Sequence, residues 1–317
     1  LVTGASGLLG LNLALHLHER EDILGIVHSH SLVGVPFPIL AVDLTEPGQT
    51  RKLLEMARPD AVIHCAAQAN LDLCEQHPEQ AEKINAHLPG ELAALTARMG
   101  IRLVHISTDA VFDGQRGNYS ESDTPNPINT YARTKLRGEE LVLAANPRAV
   151  VARVNFYGFS LNGRRSLSEF FLNNLLQRRE MNGFTDVVFC PLWVNHLVDL
   201  LVEALEKDLS GLYHFLGSEA LSKYDFGVRL AKQFGLPAEL IHPVQYAAGS
   251  VRLDAPRSPN LSASSAKLAA ALGRALPGVE DGLRGFHQQY QHGFGQYVQS
   301  FQAGQRAGAQ PEQPAAF

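Results

Sequence analysis

The stretch Thr3 to Gly10, TGASGLLG, follows the apolar pair Leu1-Val2 and leads into a further apolar segment. Its glycines are spaced GxxGxxG, which lets a strand turn sharply into a helix beside a dinucleotide. The N-terminus of that helix offers unpaired N–H groups and the positive end of the helix dipole to phosphate groups. The same glycines would also suit a plain strand-to-helix turn. The residues that we expect to contact a dinucleotide are Gly4, Ser6, Gly7, Leu8, Leu9 and Gly10.

Beyond this glycine loop, short apolar runs alternate with amphipathic stretches. Strands are predicted at Ile23 to Val27, Ile39 to Val42, Ala61 to Ala66, Leu103 to Ser107 and Val150 to Val154. Helices are predicted at Leu9 to Glu19, Thr50 to Ala57, Pro78 to Met99 and Thr130 to Ala144. The alternation predicts an α/β fold of Rossmann type, a doubly wound parallel sheet with helices on both faces.

The pattern changes after Gly158, where helices are predicted near Leu167 to Arg178, Val194 to Glu206 and Lys223 to Phe234. We expect residues 1–158 to form an NAD(P)-binding domain, rejoined by about 186–210, and residues 159–302 to form mainly a smaller substrate-binding part. Residues 303–317 are rich in Gln, Ala, Gly and Pro, which predicts a disordered tail. Because the chain begins at Leu1 rather than Met, we expect the first strand to start before it.

The composition excludes several classes of partner. A net charge of −5 offers no basic field for a nucleic acid. No apolar run approaches the roughly eighteen residues of a membrane span. The three cysteines, Cys65, Cys74 and Cys190, lack metal-ligand spacing, and an odd number does not suit a disulfide framework. We therefore expect reduced thiols, a cytoplasmic location and no metal site.

The second predicted strand ends in His28-Ser29-His30, about twenty residues after the glycine loop, where an acidic residue would hold the ribose 2′-hydroxyl of NAD. No carboxylate stands there. His28 and Ser29 can donate to a 2′-phosphate, which favours NADP over NAD, although surface polar residues at a strand end would look the same. Asp43 and Leu44 follow the third predicted strand, where we expect them near the adenine.

Tyr131 and Lys135 are spaced i and i+4 on a predicted helix, so they lie one above the other on one face. A phenol titrates near pH 10 and needs a nearby cation to act as acid or base near neutrality. We expect Lys135 to lower the pKa of Tyr131. The spacing alone would also fit a chance surface pair.

Thr108 ends the fifth predicted strand, at the edge where ligands of open α/β sheets bind. A hydroxyl there can hold the oxygen of a substrate carbonyl for hydride attack. A capping or turn role is the structural alternative. A glycine loop, then Thr108, then Tyr131 and Lys135 in this order is harder to obtain by chance, and it predicts a nicotinamide-dependent oxidoreductase with these three catalytic residues.

At this point the sequence resembles the extended short-chain dehydrogenase/reductase superfamily, and more narrowly its dTDP-4-dehydrorhamnose reductase (RmlD-like) family. The matching stretches are Ser107 to Gly114, STDAVFDG; Tyr119 to Lys135, YSESDTPNPINTYARTK; Arg153 to Gly158, RVNFYG; and Gly211 to Phe226, GLYHFLGSEALSKYDF. The resemblance implies NAD(P)H-dependent reduction of a 4-keto deoxysugar nucleotide in the cytoplasm, with Thr108, Tyr131 and Lys135 as the catalytic trio. A sugar nucleotide is the expected partner, with a homodimer as an option.

The resemblance also implies roles for further residues. Cys65, Ala66, Ala67 and Asn85 match segments that line the cofactor or stand close by, where packing would explain them equally well. The residues expected near the substrate are Asp109, Val111, Phe112, Asn155, Arg164 and Arg257. Arg164 and its neighbour Arg165 could hold a diphosphate or form a solvated loop.

Two rival functions stay open. The family usually has an Arg-Pro pair where Arg257 is followed by Ser258, which puts the substrate in doubt. A dehydratase or epimerase is the nearest enzymatic rival, but a dehydratase needs an acid beside Asp109, where Ala110 stands. The other rival is a non-catalytic NADP-binding regulatory subunit, because the β-subunit of methionine adenosyltransferase resembles this family too.

Overall fold

The computed structural model describes residues 1–246 and 255–302. Its strands are β1 Val2–Thr3, β2 Gly25–Val27, β3 Ile39–Ala41, β4 Ala61–His64, β5 Arg102–Thr108, β6 Val150–Val154, β7 Phe156–Tyr157, β8 Met181–Phe184, β9 Val188–Phe189, β10 Leu192–Trp193, β11 Gly211–Phe215, β12 Leu221–Ser222 and β13 Ile241–Val244. Its helices are α1 Leu8–Leu17, α2 Gln49–Ala57, α3 Leu71–Gln76, α4 Pro78–Glu82, α5 Leu88–Met99, α6 Thr130–Ala145, α7 Leu167–Leu176, α8 Val194–Glu206, α9 Lys223–Phe234, α10 Ala266–Leu272, α11 Val279–Gln291 and α12 Phe294–Ser300.

The central sheet has seven strands in the order β11-β6-β5-β4-β1-β2-β3. All of its neighbours are paired in parallel. The chain starts at β1, builds outward through β2 and β3 on one side, and then crosses to β4 on the other. The order therefore reverses between β1 and β4, which is where Rossmann-type sheets bind their ligands. The predicted fold class is confirmed.

Both faces of the sheet are covered, as buried parallel strands require. Helices α1 and α8 pack on one face, where Leu13 and Leu197 join the apolar residues of the strands. Helices α2, α5 and α6 cover the other face through residues such as Leu54, Leu92 and Val142. Amphipathic helices thus enclose strands that are apolar on both sides.

Three small two-stranded sheets lie outside the main one: β7 with β10, β9 with β12, and β8 with β13. An aromatic cluster that includes Tyr157, Phe171, Phe226 and Phe286 packs among them and the later helices. In sequence, this region spans much of the substrate-binding part proposed for residues 159–302. The main sheet nevertheless takes its edge strand, β11, from Gly211–Phe215, beyond the segment 186–210 that we expected to rejoin it. The division into domains stays a prediction.

The segment predicted as one helix from Pro78 to Met99 contains a π-helical turn at Lys83–His87, between α4 and α5. Asn85 lies in this turn and is buried. Its Nδ2 donates to Gln68 O at 3.1 Å and to Thr134 Oγ1 at 3.1 Å, while its Oδ1 accepts from Gln68 N at 2.9 Å. The extra backbone residue of a π turn lets one side chain join α6 to the loop after β4.

Among the described residues, no helix is both long enough and apolar enough to cross a membrane. The predicted tail, residues 303–317, lies outside the described residues.

Candidate active site

The glycine loop lies at the reversal point of the sheet, against the loop that follows β4. Gly4 has a φ of +66°, and a Cβ there would stand 2.7 Å from Ala66 N. A Cβ on Gly10 would collide with the carbonyl of Gly4. The absence of side chains at Gly4 and Gly10 thus lets the loop, α1 and the Cys65–Ala66 segment approach closely.

Thr3, the last residue of β1, links the glycine loop to the loop after β4. Its Oγ1 accepts a hydrogen bond from Ala66 N at 3.2 Å and lies 2.7 Å from His64 Nδ1. Cys65 N donates to Thr3 O at 3.3 Å. The predicted cofactor segments, the glycine loop and Cys65-Ala66-Ala67, are therefore adjacent in the fold.

A carboxylate does reach the end of β2, although none stands there in sequence. His28 Nε2 lies 3.4 Å from Asp43 Oδ2, which comes from the end of β3. Thr45 donates two hydrogen bonds to Asp43, and these lower the pKa of its carboxyl. The basis for preferring NADP is weakened, because a 2′-phosphate beside His28 and Ser29 would meet this negative charge. Leu44 is buried at 7% exposure in an apolar cluster, so its side chain packs in the core.

The structure brings Thr108 and Tyr131 together at the carboxyl edge of the sheet. Thr108 is the last residue of β5. Tyr131 lies in the first turn of α6, where Asn129 caps the helix by accepting from Ala132 N at 2.8 Å. The nearby Thr108 hydroxyl favours the phenolate of Tyr131, but burial dominates and raises the pKa of Tyr131.

Lys135 lies one turn further along α6 and is 2% exposed. Its Nζ donates to Ile106 O at 2.6 Å and lies 3.4 Å from His105 Nε2. Burial lowers the pKa of Lys135 to about 8. The pKa of Tyr131 is raised overall, because the cost of burying a phenolate outweighs the favourable interactions. That Lys135 favours the phenolate stays a prediction.

Asp109 and Asn155 form a polar pair beside Thr108. Asn155 Nδ2 donates to Asp109 Oδ2 at 2.7 Å, and Thr108 Oγ1 lies 3.3 Å from Asp109 Oδ1. Burial raises the pKa of Asp109 to about 6, against the lowering effect of the hydrogen bonds from Asn155 and Thr108. The pair gives the cleft an acceptor whose charge changes near neutral pH.

Val111 and Phe112 do not line the cleft with their side chains, contrary to expectation. Both are 0% exposed. Phe112 stacks on Tyr119 with ring centroids 4.2 Å apart, and the guanidinium of Arg153 lies 5.0 Å from the Phe112 centroid. The apolar half of the STDAVFDG stretch therefore anchors the loop in the core, while Thr108 and Asp109 carry its polar chemistry.

Arg164 and Arg165 lie in an exposed loop after β7. Their backbone amides are held: Arg165 N donates to Glu169 Oε2 at 3.0 Å, and Arg164 N donates to Asn162 Oδ1 at 3.1 Å. The guanidinium groups are exposed, so a diphosphate contact by Arg164 stays a prediction.

Arg257 belongs to a segment that docks against the N-cap of α6 and the loop after β5. It donates to Ala255 O at 2.7 Å and lies 3.5 Å from Asp72 Oδ1. Asn129 Nδ2 donates to Pro256 O at 3.0 Å, and Ser258 Oγ donates to Phe112 O at 2.9 Å. The segment therefore reaches the helix end that carries Tyr131.

Lys223, which the sequence analysis did not single out, lies within electrostatic range of Asp109 and Arg257. Burial lowers its pKa to about 8; the charge of Arg257 lowers it further, and that of Asp109 raises it. The charges of Arg257 and Asp109 thus both act on Lys223. A signal was present, because Lys223 is the first residue of α9, after the capping Ser222, and a cation at a helix N-terminus is electrostatically unfavourable.

The parallel sheet, the glycine loop and the Thr108-Tyr131-Lys135 constellation define an extended short-chain dehydrogenase/reductase. The chain belongs to the RmlD substrate binding domain family, whose model matches residues 1–292.

Two curated relatives show what this chain is similar to. The probable low-salt glycan biosynthesis reductase Agl14 of Haloferax volcanii is 33% identical over 288 residues, covering 89% of this chain and 95% of the relative. The methionine adenosyltransferase 2 subunit beta of Xenopus laevis is 30% identical over 256 residues, covering 77% of this chain and 74% of that protein. The relatives thus include both a probable reductase and a subunit of another enzyme.

Solved structures agree with the fold. A hypothetical dTDP-4-dehydrorhamnose reductase from Sulfolobus tokodaii matches with a TM-score of 0.76 at 29% identity, covering 89% of this chain and 97% of that one. The dTDP-4-dehydrorhamnose reductase of Bacillus anthracis, solved in complex with NADP, matches with a TM-score of 0.77 at 26% identity, covering 91% and 96%.

Proposed function

We propose that this protein is an NAD(P)H-dependent reductase that converts the keto group of a deoxysugar nucleotide, of the dTDP-4-dehydrorhamnose type, into an alcohol. The observation that carries the proposal is the placement of Thr108, at the end of β5, beside Tyr131 in the first turn of α6, with Lys135 one helical turn away. These groups share the carboxyl edge of the sheet with the glycine loop. The reductases among the relatives and solved structures support the same reaction.

The glycine loop fits a dinucleotide. Gly4 and Gly10 allow the tight turn and the close approach of α1 that a dinucleotide fingerprint uses, because protein backbone occupies the place of a side chain at both. The N-terminus of α1 follows directly. Gly4 to Gly10 would hold the pyrophosphate, with Cys65 to Ala67 alongside. When bound, a reduced nicotinamide supplies the hydride.

The chain's own residues hold the carbonyl and supply the proton. Thr108 and Tyr131 hydrogen-bond the carbonyl oxygen, and Tyr131 gives its proton to that oxygen as it gains negative charge. The phenol of Tyr131 is protonated at neutral pH and has a proton to give, and because burial raises its pKa, the transfer depends on groups that stabilise the phenolate. Lys135, one helical turn from Tyr131, would favour the phenolate that remains. Asp109, Asn155, Lys223 and Arg257 would contact the sugar nucleotide.

The test is oxidation of NADPH or NADH, followed by nicotinamide absorbance, with a dTDP-4-keto-6-deoxysugar generated in place. We expect oxidation that depends on both the sugar nucleotide and Tyr131. Cofactor binding without oxidation by any keto-sugar nucleotide would contradict the reductase and favour the regulatory-subunit alternative. A binding assay with a methionine adenosyltransferase catalytic subunit would then test that alternative.

The proposal includes the cellular location and the oligomeric state of the enzyme. A cytoplasmic location suits Cys65, Cys74 and Cys190, which are free thiols. The homodimer stays an option that sedimentation of the purified protein would decide.

A further inference from the structure

Two buried histidines lie side by side next to Lys135. His64 on β4 and His105 on β5 are register partners in the parallel sheet. They are 1% and 0% exposed, and their rings stack with centroids 5.5 Å apart at an angle of 23°. Burying two imidazoles in the core of a sheet costs free energy, and no step of the proposed reaction uses them.

The pair completes a polar column through the sheet. At one end, Thr3 Oγ1 lies 2.7 Å from His64 Nδ1. At the other end, His105 Nε2 lies 3.4 Å from Lys135 Nζ. The column therefore connects the strand that carries the glycine loop with the amine of Lys135.

The protonation states decide the direction of the contact with Lys135. Burial, and then the charge of Lys135, lower the pKa of His64 to about 3 and hold that of His105 well below its usual range. Both rings are therefore neutral near pH 7, and a neutral imidazole has one acceptor nitrogen. His105 Nε2 can accept from the ammonium, Ile106 O takes a second N–H, and one N–H remains for the cleft.

We propose that His105 is a positioning residue for Lys135. Its Nε2 stabilises and orients the Lys135 ammonium. The stacked ring of His64 holds His105 in place. The consequence for catalysis rests on the proposed function. The contact itself is a property of the folded chain.

The proposal predicts a shift with a definite sign. The titratable groups around Lys135 are Tyr131 and Glu139 on its own helix, Cys65 after β4, and His105 with His64 behind it. Burial lowers the pKa of Lys135, and Glu139 and Cys65 oppose this. Loss of the acceptor nitrogen leaves the ammonium less stabilised, so the pKa of Lys135 falls further and the ammonium is lost at a lower pH.

Two substitutions distinguish the effect of the His105 acceptor nitrogen from the effect of its ring. His105→Phe keeps a ring against His64 and removes the acceptor, whereas His105→Gln removes the ring and keeps an acceptor at a similar reach. The titration of Lys135 is measured by NMR of protein labelled at lysine Cε, with the signal assigned by its loss in Lys135→Met. We expect the Phe variant to titrate about one unit lower than the wild type, and the Gln variant to stay near it.

An unchanged Lys135 titration in His105→Phe would overturn the proposal. If the Phe variant does not fold, as judged by thermal unfolding, the Lys135 titration in His105→Gln decides. A Lys135 pKa equal to that of the wild type supports the acceptor role of His105. A shifted Lys135 pKa overturns the proposal. The alkaline limb of kcat/KM should move in parallel. Failure of the proposed function and failure of the His105 proposal can be told apart, because the Lys135 titration is measured without substrate. Absence of turnover counts against the reductase. An unchanged Lys135 pKa in His105→Phe counts against the role of His105.

Discussion

The side-chain amide of Asn155 donates a 2.7 Å hydrogen bond to Oδ2 of Asp109, one residue beyond the strand end that holds Thr108. Burial raises the pKa of this carboxyl to about 6, and Asn155 opposes the rise. An Asp whose pKa is raised by folding favours the folded state below its unfolded pKa, and that contribution is lost as the pH rises through about 6. Asp109 therefore changes charge in the folded protein close to neutral pH.

Asn155→Leu should move the acidic limb of the activity profile upward. The variant removes a donor that favours the carboxylate, so the pKa of Asp109 rises further, by about one unit. If the substrate requires the ionised carboxylate, kcat/KM should fall at a higher pH than in the wild type. Asp109→Asn should abolish this limb. A limb that stays in place in Asn155→Leu would contradict the assignment to Asp109.

Tyr131→Phe should lower kcat by at least about a hundredfold, because the phenol is the proton donor. Cofactor affinity, measured by quenching of intrinsic fluorescence, should stay nearly unchanged since the ring remains. Thr108→Val should lower kcat less, because Tyr131 still contacts the carbonyl oxygen. Full turnover in Tyr131→Phe would rule out this residue as the acid.

Lys223→Met should raise KM for the sugar nucleotide by about tenfold and leave cofactor affinity intact. The physical reason is loss of a cation that lies near Asp109 and Arg257, where an anionic substrate group would be held. Lys232→Met is the matched control, because Lys232 lies on the same helix and is exposed. Equal effects of the two variants on KM would show that only the general charge matters.

Asp43→Asn should raise the affinity for NADPH relative to NADH by about threefold to tenfold, since it removes a partly exposed carboxylate near His28. Asp43→Glu keeps the charge and serves as the control. The measurement is the ratio of the two dissociation constants. A ratio that Asp43→Asn does not change would place the 2′-position of the cofactor elsewhere.

Arg153→Met should destabilise the protein by about 3 kcal/mol, because it leaves the Glu139 carboxylate buried without its partner. The two side chains are 2% and 4% exposed, and Arg153 Nη2 lies 2.7 Å from Glu139 Oε2. Arg137→Met breaks the exposed Arg137–Glu140 pair and should change the free energy of unfolding by about 0.5 kcal/mol or less. Urea unfolding of both variants checks the difference.

The sequence alone determined what depends on short-range spacing. The turn at Gly4, the Tyr131–Lys135 pair on one helical face and the alternation of strands and helices each arise within a few residues or a regular repeat. Periodicity also predicted α8 and α9 at the bounds that the structure shows. It missed the π turn at Lys83–His87, because the helical stretches on either side of it are too short for the apolar pattern to show where the phase shifts.

The tertiary structure alone decided which distant groups meet and how deeply they are buried. Asp43 reaches His28 because β3 lies beside β2, and His64 stacks on His105 because β4 pairs with β5 in register. Lys223 comes within electrostatic range of Asp109 from a helix that begins 92 positions after Tyr131 in the printed numbering. The raised pKa of Tyr131 likewise follows from burial. Such facts depend on packing between segments far apart in the chain, which local sequence spacing does not encode.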